Sequence, residues 1–214
     1  ENKFQKMLEV EVAVARVQAN NKIIPEKAAR DIAGKAKFKM ARIEEIEKTT
    51  KHDVIAFVTN LAENVGSNGR FIHYGLTSSD VLDTALGLLL KDTAMVFETD
   101  LIALDRALVT QMKRHQMTIC AGRTHGMHAE ITTFGVKLSG YLAELRRHKR
   151  RLSRAFAQSF IGKLSGAVGT YSSLSMKIEK EVCHKLHLTP ETVATQVVPR
   201  DRLAEVLSAV AMVG

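Results

Sequence analysis

The sequence predicts an all-α fold, with several short helices in the first third and much longer helices from Thr77 onward. Three observations carry that expectation. Ala, Leu, Val, Lys, Arg and Glu abound, Trp is absent and only three prolines occur among 214 residues; straight-chain residues lose little rotamer freedom in a helix. Apolar residues recur at helical spacing over long stretches, and caps and glycines fall where such stretches begin and end.

In chain order, ENKFQKMLEV reads as the middle of a helix with no start signal. Pro25 suits the first turn of a second helix and Gly34 its end. A third spans about Met40 to Lys48, with Ile43 and Ile46 inward. In HDVIAFVTNLAENVG, Val54, Val58, Leu61 and Val65 share one helix face, and Gly66 is a natural stop. SNGRFIHYG, Ser67 to Gly75, breaks the period and is expected to be the first long loop. From TSSDVLDTA, the series Leu82, Leu86, Leu89, Thr93, Phe97, Leu101, Leu104, Leu108 and Met112 keeps near-helical spacing, interrupted only by Gly87. One helix from Val81 to about Met117 would run roughly 55 Å at about 1.5 Å per residue. A loop is expected around GRTHG, then a second long helix through Phe134, Leu138, Tyr141, Leu145, Leu152 and Phe156. Helices of this length pack as antiparallel bundles or across subunits. GKLSGAVGTYSS, Gly162 to Ser173, holds three glycines and is a functional-loop candidate. A shorter helix follows over about Ser175 to Leu186, and another starts near Pro199 or Arg200 and is expected to be still running at Gly214. Both ends read as cut.

No apolar run is long enough to span a bilayer, and the first residues lack the basic start and apolar core of a signal peptide. Cys120 and Cys183 fit no metal or redox spacing and read as lone thiols of a reducing cytosol, a single disulfide between them being the alternative. The formal net charge of +8 favours anionic partners without choosing between nucleic acid and a small polyanion. Six Arg or Lys residues crowd Glu144 to Arg154, around more than one helix face and with no nucleic-acid motif. They read as a solvated or intersubunit face.

Chemistry-bearing residues cluster at three places. Thr77, Ser78 and Ser79 sit at a helix start, where free N–H groups and the positive dipole end suit a carboxylate or phosphate; the plainer reading is an N-cap with Asp80 and Asp83 in the first turn. His125 follows Arg123 and Thr124 in a glycine-flanked turn, where an imidazole could protonate a leaving nitrogen, though a lone loop histidine is commonly just a surface residue. His128 and Glu130 invite a metal reading, but H-x-x-H-x-E matches no common zinc pattern and no metal is expected. His52 heads the fourth helix, and His73 lies in the loop before TSSD; either alone is unremarkable.

In order, KHDVIAF, FIHYGLTSSDVLDTAL, GRTHGMHAEITTFG, SGAVGTY and TQVVPRDR resemble the adenylosuccinate lyase family of the bacterial type, within the fumarase and aspartase superfamily. The resemblance runs the length of the chain. It implies a small N-terminal helical domain over 1–76, the first part of a central long-helix bundle domain over 77–214, and a cytoplasmic homotetramer with active sites shared between subunits. It implies a fumarate-releasing β-elimination acting on adenylosuccinate and on the succinyl-carboxamide ribotide of purine synthesis, without metal or organic cofactor. By position, His125 matches the general acid, with Thr124 beside it. His52, with Lys51 and Asp53, matches the histidine motif that binds and orients substrate. Thr77 and Ser78 match the residues holding a substrate carboxylate, His73 lines the pocket, and Gln196 matches a substrate-binding glutamine.

Two departures stand out. Ile131 replaces a common Pro, expected to alter only how the second long helix begins. The serine loop supplying the general base (SS-x-MP-x-K-x-NP) and an N-terminal Arg-Tyr pair thought to bind phosphate have no counterpart in the 214 residues, so this piece alone is expected to be inactive. Alternatives are another fumarate-releasing lyase such as argininosuccinate lyase, disfavoured by HAE after GRTHG; a helical nucleic-acid binder using the basic run; and a non-catalytic helical scaffold.

Overall fold

A computed structural model describes residues 1–213; Gly214, where the last helix was expected to be still running, lies outside the described residues. Helices dominate, as the composition predicts. The first four are α1 (Asn2–Asn20), α2 (Glu26–Lys35), α3 (Met40–Thr50) and α4 (Asp53–Val65). Pro25 caps α2 from just outside it, and α2 runs one residue past Gly34. Gly66, at φ 78°, ends α4 as expected. The expected loop from Ser67 opens instead as a 3-10 helix, Gly66–Phe71. Gly69 permits this, because a Cβ there would lie 2.8–2.9 Å from Ala62.

The long helix α5 (Ser78–Arg114) begins three residues earlier than the apolar period suggests, since TSSD is its capping turn. The segment around GRTHG is a correction to the all-helical expectation. It folds as an antiparallel hairpin of β1 (Ile119–Thr124) and β2 (Met127–Thr133). Thr124 pairs with Met127, so His125 and Gly126 form a two-residue turn with φ 52° and 73°. Positive φ at both positions is the type I′ geometry that matches strand twist. A register shift between Ala121 and Arg123 marks a bulge on β2, where Ala129 and Glu130 oppose the single Gly122, at which a Cβ would meet the Glu130 carbonyl at 2.7 Å. The second long helix, α6 (Phe134–Ser159), starts only after β2. Ile131 therefore sits exposed in a strand and does not shape the helix start. A short β3 (Ile161–Gly162) pairs in parallel with β4 (Thr189–Pro190), flanking α7 (Met176–Leu186), and α8 (Asp201–Ala211) follows Pro199.

The chain divides into two compact units. The first holds Glu1–Leu90 and Phe160–Arg200, so it includes the opening turns of α5; the second holds Lys91–Ser159 and the stretch from Asp201. In the first unit Met7, Val10, Ile32, Ile43, Phe57, Leu61, Val81 and Val182 are buried, with Phe4 stacked on Phe57 at 5.3 Å. Each large buried side chain contributes about 1.5–3 kcal/mol. In the second, α6 packs on α8; Leu138, Leu142, Leu145, Leu152 and Phe156 are buried on α6 and Val206 and Ala209 on α8. Phe97 meets Phe156 at 5.8 Å, and Arg146 grips Asp105 with two bonds of 2.8 and 3.2 Å. That grip holds the Asp105 carboxyl below its usual range. Among the described residues no helix is long and apolar enough to cross a membrane, and both cysteines are free thiols. Burial pushes the Cys183 thiol up to about 12, which leaves it unreactive near neutrality.

Candidate active site

In the first unit the site is organised around the start of α5. The Asp80 carboxylate accepts the Thr77 N–H at 2.9 Å, so an otherwise unpaired donor of the capping turn is satisfied from within. Ser78 lies one residue in, its hydroxyl 3.4 Å from His52 Nε2. His52 caps α4, its Nδ1 accepting the Ile55 N–H at 3.4 Å. An acceptor Nδ1 places the neutral ring's hydrogen on Nε2, which then donates to Ser78. Sequence-distant His52 and Ser78 are thereby brought together. Around them, Lys51 adopts a left-handed conformation (φ 53°) to close α3, its N–H on the Glu47 carbonyl. Asp53 accepts its neighbour's Val54 N–H at 2.8 Å and Lys3 Nζ at 3.3 Å.

His73 precedes this turn and also takes a left-handed backbone, φ 61°, a conformation costing a non-glycine residue on the order of 1–2 kcal/mol. Buried Glu11 on α1 offsets that cost by accepting the His73 N–H at 2.9 Å and contacting Nδ1 at 2.7 Å. Gln18, two turns further along α1, donates to the Tyr74 carbonyl at 2.7 Å.

The two aspartates read as first-turn charges prove to be anchors. Asp80 is fully buried and accepts Lys163 Nζ at 2.7 Å and the Gly166 N–H at 3.2 Å; Lys163, equally buried, also donates to the Gly166 carbonyl at 2.6 Å. Thr84 and the Lys163 backbone exchange two bonds of 3.0 Å. Every polar group of the ion pair is thus engaged, as a buried pair requires. The pair fixes the glycine-rich loop against α5. The loop is closed by the Tyr171 N–H on the Ser165 carbonyl and by the Tyr171 hydroxyl on Glu179 at 2.8 Å. Burial, and then the bond to Glu179, push the Tyr171 phenol up to about 12. Asp83 accepts the Val198 N–H at 2.7 Å and Arg200 at 2.9 Å, tying down the segment that carries Gln196, itself exposed. Gly169 passes so close to the Ala194 carbonyl that no Cβ fits between them.

Lys163, Glu11 and Glu179 were not singled out by the sequence, and Asp80 and Asp83 were read only as first-turn charges, not as buried anchors. One signal was available: Gly87, in line with Asp80 and Asp83/Thr84 on α5, marks a face approached by backbone, here Ile161.

In the second unit, Thr124 and His125 stand at the hairpin tip, exposed. His125 is presented by the type I′ turn, and the base of the hairpin is closed where the start of α6 bonds the segment between α5 and β1: the Phe134 N–H on the Thr118 carbonyl (2.8 Å) and the Gly135 N–H on the His115 carbonyl (2.9 Å). His128 and Glu130 are exposed on β2, and among the described residues no group of three or more His, Cys, Asp or Glu side chains is placed to hold a metal.

A helical scaffold that presents hydroxyls at one helix start beside a histidine capping another, together with a further histidine on a hairpin tip, has the parts for binding an anion and moving protons. The chain belongs to the lyase family: the family model described as Lyase matches residues 1–214. Among individual relatives, adenylosuccinate lyase from Synechocystis sp. is 49% identical over 210 residues, 98% of this chain and 49% of that protein. Adenylosuccinate lyase from Bacillus subtilis is 41% identical over 213 residues, all of this chain and 49% of that protein. The chain spans about half the length of the curated relatives it matches. Among solved structures, fumarate lyase from Mesorhizobium sp. superimposes with a TM-score of 0.90 at 31% identity, covering 99% of this chain and 51% of that one.

Proposed function

We propose that the full-length protein is an adenylosuccinate lyase, a carbon–nitrogen lyase of the amidine-lyase type that releases fumarate from adenylosuccinate, giving AMP, and from the succinyl-carboxamide ribotide of purine synthesis. The observation that carries this reading is the 49% identity to the Synechocystis adenylosuccinate lyase over 98% of the chain. In the elimination a base takes the proton from the carbon beside a succinyl carboxylate, the C–N bond breaks with its electron pair passing to nitrogen, and an acid protonates that nitrogen. His125 is the acid, delivered by its turn, with Thr124 beside it. Thr77 and Ser78 hold the succinyl carboxylate at the start of α5, where hydroxyl donors and the positive helix end stabilise charge that grows in the transition state. His52, oriented by Ile55 and Ser78, lies with Lys51 and Asp53 on the same substrate. His73 lines the pocket, and Gln196 binds substrate. The base is supplied by a serine-containing loop with no counterpart in these 214 residues. Residues 1–76 form the small domain and 77–214 the first part of the bundle domain of a cytoplasmic homotetramer that shares its sites between subunits and works without a cofactor.

Incubating the full-length protein with adenylosuccinate and quantifying fumarate directly tests the proposal. Fumarate and AMP should appear in equal amounts, with none formed from argininosuccinate. Absence of fumarate above a buffer control, or turnover of argininosuccinate instead, would overturn it.

A further inference from the structure

The contact between α1 and the turn before TSSD is built more carefully than a packing contact needs. Glu11 is 2% exposed, and its two carboxylate oxygens divide between two donors of one residue: Oε2 takes the His73 backbone N–H at 2.9 Å and Oε1 meets the His73 ring at Nδ1, 2.7 Å away. Seven residues on, along the same face of α1, fully buried Gln18 holds the next carbonyl, that of Tyr74, at 2.7 Å. Two buried polar side chains thus clamp the one turn in which His73 takes a left-handed backbone, φ 61°.

The chemistry of the ring follows from the clamp. A carboxylate offers only acceptors, so Nδ1 facing it must carry a hydrogen. The neutral ring is then held as the Nδ1–H tautomer, and Nε2 is its bare nitrogen. His52 is held the opposite way, with Nδ1 accepting from the Ile55 N–H. The two histidines flanking the start of α5 therefore present opposite ring nitrogens as hydrogen carriers, each fixed by a partner behind it.

We infer that Glu11 is a positioning residue that acts through His73, fixing its ring plane and its tautomer so that Nε2 is offered to substrate as a hydrogen-bond acceptor. The inference rests on the proposed lyase reading for what the substrate is, and on the geometry alone for the pairing. A glutamate that only braced the His73 backbone N–H could be replaced by Gln, whose carbonyl keeps that bond, without loss of turnover; a positioning glutamate could not.

The test is a double-substitution cycle in the full-length protein, with adenylosuccinate as substrate. Glu11→Gln keeps the size of the side chain but can donate as well as accept, so the tautomer is no longer dictated. The expected loss in kcat/KM is on the order of tenfold, the lower end of the range for losing a partner that orients a metal-bound imidazole. In the His73→Gln background the same change should cost less than about twofold, because the group it acts through is gone. Equal losses in both backgrounds, or no loss in either, would overturn the inference. A second measurement needs no variant to be active: ¹⁵N NMR of the imidazoles in the wild-type full chain, with the His73 signals assigned by their disappearance in His73→Gln. A protonated Nδ1 and bare Nε2 in the neutral ring are expected, and the reverse tautomer would overturn the pairing. If the wild type released no fumarate, the lyase reading would fall while the ring measurement still decided the pairing of Glu11 with His73.

Discussion

Tyr171 joins two parts of the first unit, closing the glycine-rich loop on itself and bonding to Glu179 on α7. Its folded pKa, about 12, lies above the ordinary phenol value of about 10 because burial and the Glu179 bond favour the neutral form. The native state therefore holds this proton at pH values where the unfolded chain has released it. The stabilisation is complete below about pH 10 and is lost as pH rises through about 12. Urea midpoints should fall more steeply for the wild type than for Tyr171→Phe across that window; parallel slopes would contradict the role. The loop's glycines were legible as punctuation, and Tyr171 only as part of a motif. Lys163 was not legible at all. Its partner Asp80 lies 83 residues away, and nothing local distinguishes a lysine that enters a core from one that leaves it. The same holds for Asp83, whose bonds to Val198 and Arg200 span 115 and 117 residues.

Among the elements, helices were readable because their signals are local: Gly66 at the end of α4, and the capping turn before α5. The hairpin was not. Its strands are exposed along most of both faces, so no apolar alternation betrays them, and a His-Gly turn is a less familiar sign of type I′ geometry than Asn-Gly. Gly87 shows how an element's context reverses a propensity rule. Gly→Ala inside a helix ordinarily stabilises by up to about 1 kcal/mol. At Gly34, with nothing within 4 Å of the added Cβ, Ala should do that. At Gly87 the Cβ would overlap the Ile161 carbonyl, so Ala should destabilise by about 1–3 kcal/mol. Denaturant midpoints of the two variants should move in opposite directions, and a shared direction would contradict the packing of β3 on α5.

For the whole molecule, the long helices expose more apolar surface than isolated side chains account for. Met95 and Val96 on α5 and Val136 on α6 are 57%, 61% and 62% exposed, and Leu104, read from its spacing as inward, is 47% exposed. Periodicity marked an apolar series along α5 from Leu82 to Met112, but within it only Leu101 is buried and most members are half-buried. At the start of α5 the buried positions are Val81, Thr84, Ala85 and Leu88 instead, because spacing does not say whether this chain or another covers a given face, and such a face is left as open surface. Such surface supports assembly through the long helices. Sedimentation of the full-length protein should give a single species of four chains; a stable monomer at micromolar concentration would remove that part of the proposal. At this scale the family was the most legible property, since five motifs scattered along the chain can be compared together even where none is diagnostic alone.

The central claim is that the hairpin tip delivers the proton to the departing nitrogen. It is tested most directly by the turnover number for fumarate release from adenylosuccinate, measured for the full-length wild type and for His125→Ala in the same assembly state. The turn exposes residue 125 in either variant, so the fold should persist while kcat falls on the order of 10² or more. Near-normal turnover in His125→Ala would contradict the account and move the acid elsewhere.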